Sequence, residues 1–130
     1  MRKQKSTSNV IDLKDFHPKM NGTQLQKLWI DLLHAYGYRV CHFRPARVLR
    51  NGVEVWETPF TDDGRGFVDI VAAKSERKMI MLEIKRQYEK LSLEQEIWGE
   101  ILSRSSGVFY MVVRPKTYEV FEKYIIENNS

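Results

Sequence analysis

Asp69, Glu83 and Lys85 are the residues of this chain whose types and spacing could do chemistry together. They sit in or at the end of two apolar runs, Phe67 to Ala73 and Met79 to Ile84, joined by the charged segment Lys74-Ser75-Glu76-Arg77-Lys78. This pattern predicts a β-hairpin with a short connection and at least one buried face. Folding about Glu76 sets Asp69 opposite Glu83, and opposed residues point to one face with Cβ atoms ~5 Å apart. Lys85, two positions past Glu83, shares that face. Ile70, Ala72, Ile80, Leu82 and Ile84 alternate onto the other face and can enter a core. Adjacent carboxylates repel, and burial adds a desolvation cost, so something must compensate them. Lys85 could do so alone as a structural ion pair. Alternatively a divalent cation lies between them. Oxygen ligands suit Mg²⁺ or Mn²⁺, and the backbone carbonyl of Ile84 could add one more. Such a cation acidifies its bound water and stabilises charge on phosphoryl oxygens, as phosphodiester hydrolysis requires. Lys85 would then orient the attacking water or contact the phosphate.

The elements that must position this trio are readable from periodicity. Leu25, Leu28, Trp29, Leu32, Leu33 and Tyr36 form one apolar stripe, which predicts an opening helix with Thr23 as its N-cap and Gly37 as its stop. Tyr38 to Phe43 reads as a strand. Arg44 to Phe60, with Asn51-Gly52 and the alternation Val53, Val55, reads as a small hairpin that leads into a loop. After the Asp69–Lys85 hairpin, Ser92 and Gln95 form a capping box. The helix behind it takes Leu93, Ile97, Trp98, Ile101 and Leu102 as its apolar face, and Gly107 ends it. Val108 to Val113 is a continuous apolar strand. Pro115 opens a last helix that turns Tyr118, Phe121, Tyr124 and Ile125 inward. A helix linking one strand to a later one implies a crossover. The expectation is therefore an α/β fold, a mixed sheet flanked by helices, in the order αβββαβ plus a C-terminal helix.

Composition narrows the class. The chain has 130 residues, which suits one domain and one core, and residues 21–130 are read as that domain behind a flexible basic tail, 1–20. No apolar run approaches the ~20 residues of a membrane span, and the start shows no signal-peptide pattern. Cys41 is the only cysteine, which rules out an internal disulfide and a cysteine-based zinc site and fits an apolar strand residue in a reducing cytosol. The formal charge of +4 favours an anionic partner such as a phosphate backbone.

Gly66-Phe67-Val68-Asp69 followed by Glu83-Ile84-Lys85 resembles the signature of the PD-(D/E)XK nuclease superfamily. With Leu91-Ser92-Leu93-Glu94-Gln95 and the strand Val108 to Val113, the pattern resembles its virus-type replication-repair (VRR-NUC) branch over roughly residues 22 to 126. The resemblance implies a restriction-endonuclease-like core and a metal-dependent DNA endonuclease acting on branched or duplex DNA. Asp69 and Glu83 would be ligands of Mg²⁺ or Mn²⁺, Lys85 the catalytic lysine, and Gln95 an active-site helix residue. It also implies a likeness to Holliday-junction resolvases, a homodimer, and a prokaryotic or phage-infected cytoplasm. Val68 departs from the usual proline, a substitution without chemical consequence. Gln24 stands about where many members carry a metal-reaching glutamate, and Asp31 on the same helix could substitute for it.

Around the trio, Arg44, Arg47, Arg65 and Arg86 are the candidates for nucleic-acid contacts, because guanidinium matches phosphate in a forked geometry. His42 is read as a satisfied structural residue, Asp62 and Asp63 as turn residues, and Trp29, Trp98 and Tyr36 as core. Trp56 is open to either role. The alternative to an enzyme is a nuclease-fold protein that binds nucleic acid or a protein partner without cutting.

Overall fold

A computed structural model describes residues 21–43, 46–57 and 60–129. The expectations placed on the tail at 1–20 and on Arg44 fall outside these residues. The elements run α1 (Gly22–Ala35), β1 (Arg39–His42), β2 (Ala46–Arg50), β3 (Val53–Glu57), β4 (Ile70–Ala73), β5 (Met79–Ile84), α2 (Leu93–Ser103), β6 (Val108–Val113) and α3 (Tyr118–Glu127). A 3₁₀ turn at Pro115–Thr117 leads into α3.

Four strands form a mixed sheet in the order β1-β4-β5-β6. β4 is antiparallel to β1 and to β5, whereas β6 runs parallel to β5, because α2 carries the chain back to the start of the sheet. The chain is therefore α/β, with helices on the sheet. Among the described residues no helix is long and apolar enough to cross a membrane.

Strand alternation divides the sheet into two unlike faces. Ile70, Ala72, Ile80, Leu82 and Val113 point to one side and are buried against Leu25, Trp29 and Leu33 of α1 and Tyr118, Phe121 and Ile125 of α3. Trp29 packs on Tyr118 and edge-on to Phe121, with ring centroids 5.0 and 5.8 Å apart. Lys74 ties this layer together at its rim, donating to the Tyr36 carbonyl at 2.7 Å and to Asn129 Oδ1 at 2.9 Å. The other face carries Met81, Glu83, Tyr110 and Val112 in register, and α2 covers part of it.

Several local expectations are corrected. The cap of α1 is Asn21, two residues earlier than Thr23, and its side chain forms a capping box with Gln24. Strand β4 is shorter than the apolar run, since Phe67 and Val68 precede it and pack as loop residues beside α2. Helix α2 buries only Gly99 and Leu102. Leu93, Ile97 and Ile101, expected inward, are exposed because Gln95, Gly99 and Leu102 face the sheet and these three lie on the opposite side of the helix. Cys41 is exposed on the edge strand β1. The hairpin expected at Asn51-Gly52 is present: β2 and β3 form a separate two-stranded ribbon turned by these residues, both in the left-handed region (φ 52° and 79°).

Candidate active site

The hairpin register is the one that brings the acidic residues together. Ile70 pairs with Leu82 and Val71 with Met81, so the next step of the ladder sets Asp69 across from Glu83. Asp69 is held on every side. Its amide donates to the Leu82 carbonyl at 3.0 Å, its carbonyl accepts from the Phe43 amide at 3.1 Å, and its Oδ2 accepts from the Ile84 amide at 2.8 Å. Glu83 is only 2% exposed and Lys85 only 7%.

Gln95 fills two roles with the two ends of its amide. Its Oε1 accepts from the Ser92 amide at 2.8 Å, closing the capping box of α2. Its Nε2 donates to Glu83 Oε2 at 2.9 Å. A residue that could be read as a cap or as a site residue is therefore both. The approach of the Asp69 loop to this helix depends on Gly66 (φ 80°). A Cβ there would meet Glu94 Cβ at 2.6 Å and the Gln95 amide nitrogen at 2.8 Å. Trp98 fastens the same loop by donating from Nε1 to the Asp63 carbonyl at 3.0 Å.

The electrostatics are strained towards positive charge. Burial, then the adjacent Asp69 carboxylate, push Glu83 up to about 9. Burial also raises Asp69, outweighing the Ile84 amide and the Lys85 ammonium. Both carboxyls are thus biased towards holding a proton. The Lys85 ammonium lowers both but is outweighed by burial, and its Nζ also lies 3.4 Å from Glu89 Oε2. Burial opposes the ionisation of Glu89, yet the Arg86 amide and the Lys85 ammonium together hold its carboxyl below the ordinary value.

Glu89 escaped the sequence reading, as did the residue that positions it. Arg114 Nη1 donates to the Arg86 carbonyl at 2.8 Å and to the Glu89 carbonyl at 2.6 Å, which pins the turn after β5. Arg114-Pro115 belongs to the stretch that carries the family resemblance, but no pattern in the sequence assigned Arg114 this role. Tyr110, beneath Gly99 of α2, is a third omission. Burial first, then Glu83 and Asp69, raise its phenol. Only knowledge of the parallel β5–β6 register could have put it on the acidic face.

The other candidates are dispersed. Gln24 is exposed, and its Oε1 accepts from the Asn21 amide at 2.9 Å. Asp31 pairs with Lys27 at 2.9 Å on the surface of α1. Arg47 lies on the ribbon, 3.4 Å from Glu54 and over the Trp56 ring. Arg86 contacts Glu89 at 3.6 Å. Arg65 is exposed, with its guanidinium 4.6 Å from the Phe60 ring centroid, at a cleft that Asp69 and Gln95 also line. His42 pairs with Ile70 and so faces the core side, away from Asp69. Its Nδ1 is buried without a hydrogen-bond partner, contrary to the expectation of a satisfied histidine.

Asp69 and Glu83 are the oxygen donors here that could serve one hard cation keeping several waters. Among the described residues no cluster of three or more His, Cys, Asp or Glu side chains is gathered for a metal. No family model matches the chain, and no curated protein or solved structure is found similar to it.

Proposed function

We propose that this chain is a metal-dependent DNA endonuclease with a PD-(D/E)XK, VRR-NUC-like core, hydrolysing phosphodiester bonds with Mg²⁺ or Mn²⁺. The observation that carries the reading is the buried Glu83 paired with half-buried Asp69, short of positive charge of their own, with Asp69 bordering an open cleft. Two carboxylates in that condition cost stability unless a cation joins them.

Asp69, Glu83 and the Ile84 carbonyl would hold the metal. When bound, it supplies acidified water and charge stabilisation at the scissile phosphate. Gln95 fixes the Glu83 carboxylate in orientation, and the Ile84 amide does the same for Asp69. Lys85 is released to face a phosphate oxygen or the attacking water when an anion competes with Glu89 for its ammonium. Arg65, at the rim of the cleft, offers a forked contact to the backbone. The second reading, a nuclease-fold protein that binds DNA without cutting, is favoured by the small acidic set and by the neutral Gln24 on α1.

The test is cleavage of labelled duplex, single-stranded, flapped and four-way-junction DNA with Mg²⁺, Mn²⁺ or EDTA. Asp69→Asn is run beside the wild type, since Asn can still accept from the Ile84 amide. Metal-dependent cutting should fall by ~10²-fold or more in the variant, the scale of losing a group that stabilises transition-state charge. Undiminished cutting would sink the assignment. Binding without cutting by the wild type would select the second reading.

A further inference from the structure

Beside the carboxylate pair the chain keeps a cleft of about 620 Å³ with walls that phosphate chemistry does not need. Phe43 and Phe60 line it, each 37% exposed, and Phe67 and Trp98 continue the wall. The rings form a connected series. Phe43 meets Phe67 edge-on at 5.8 Å between centroids, and Phe67 meets Trp98 edge-on at 4.8 Å. The indole N–H of Trp98 is already satisfied by Asp63, so what Trp98 offers the cleft is its hydrocarbon surface. Arg65 lies over the outer ring, Phe60.

A wall of aromatic rings lined also by the Arg65 guanidinium and the Asp69 carboxylate selects among ligands. The Asp69 carboxylate disfavours a bare anion. The rings favour a flat, neutral π-system, and the guanidinium favours a negative group attached to it. A nucleobase carried on its own phosphate has all of these properties. In uninterrupted duplex the bases are stacked inside, so only an unpaired base can reach such a cleft.

We propose that the cleft between Phe43, Phe60 and Trp98 binds an unpaired nucleobase next to the scissile phosphate, with Arg65 on the adjoining backbone. The preferred substrate class is then DNA with an unstacked nucleotide at the cut, such as a flap, a gap or a branch point, over continuous duplex. This rests on the nuclease reading for its word "scissile", but the binding step can be tested without any cutting.

The experiment measures binding in EDTA of a duplex and of a flapped DNA carrying 2-aminopurine at the unpaired position, using wild type, Phe60→Ala and Phe60→Tyr. Phe60 lies outside the buried core, and thermal melts confirm that each variant is folded. Wild type should bind the flapped DNA more tightly and quench its fluorophore. Phe60→Ala should weaken flap binding by roughly 5- to 100-fold, the range of one lost base–aromatic stack, and Phe60→Tyr should restore it. Equal affinity for both DNAs in the wild type, or flap binding unchanged by Phe60→Ala, overturns the proposal. So does a wild-type dimer in sedimentation that Phe60→Ala dissolves, which would give the cleft to a second copy. The two readings separate cleanly. Base binding through Phe60 without cutting in Mg²⁺ or Mn²⁺ removes the nuclease and keeps the cleft. Cutting of flap and duplex at equal rates keeps the nuclease and removes the cleft's role.

Discussion

The two faces of the four-stranded sheet are built from alternate residues of the same strands and do opposite things with them. On the side of α1 and α3, every inward residue of β4 and β5 is apolar and all but the half-buried Ile84 are buried, and the helices close over them with aromatic rings. On the side of α2, the same two strands end in Asp69, Glu83 and Lys85, two of them buried and charged by type. Burying apolar surface gains about 25 cal/mol per Å², whereas burying a carboxylate costs free energy unless it is paired. One face generates stability and the other consumes part of it, and one-residue alternation is all that separates them.

The sharpest way to break this contrast is to damage the generating face. Phe121→Ala removes a fully buried ring that packs on Trp29 and Phe109 and should cost about 3–5 kcal/mol in a denaturant melt. A loss below about 1 kcal/mol would mean that the core lies elsewhere.

The consuming face predicts a change of opposite sign. Burial and the neighbouring Asp69 raise the folded pKa of Glu83 from the ordinary 4.5 to about 9. Without a divalent cation, the folded chain keeps a proton that the unfolded chain releases. Stability therefore falls as pH rises from about 4.5 to about 9 and is lowest above that window. Glu83→Gln keeps an acceptor for Gln95 and removes the charge. It should raise the cation-free stability at pH 8 by about 1–2 kcal/mol and flatten the decline, read by thermal melts across pH. A variant less stable than wild type at pH 8 would show that the carboxylate is well compensated.

The smallest effect belongs to neither face. Leu49 on the β2–β3 ribbon is 72% exposed, so Leu49→Ser should shift stability by no more than about 0.5 kcal/mol. A larger loss would mean that the ribbon packs on the body.

These contrasts also mark what the sequence could reveal. The Asp69–Glu83 juxtaposition was legible because the charged connection centred on Glu76 fixes the register of a short hairpin, and register carries side chains to a face. The stripe of α1 was legible because one helix face is fully buried. The face of α2 was not. Leu93, Ile97 and Ile101 follow helical spacing, but spacing reports that residues share a face and not that the face is covered. Glu89 and Arg114 were missed for a related reason. They act across an irregular turn, through backbone carbonyls and one ion pair, and irregular chain has no period to read. Gln95 was legible only as a choice between two roles. That both are fulfilled follows from an amide having two ends, a point settled by the distance to Glu83.

One hydrogen bond joins the two accounts of the molecule. The Ile84 amide donates to the Asp69 side chain, so at that position the backbone of the sheet's interior strand β5 is tied to an ionisable group. The proton on that nitrogen is a built-in sensor. Its resonance and its exchange with solvent follow whatever the carboxylate holds, whether a proton, a cation or neither, and so report site occupancy from within the hydrogen-bonded framework itself.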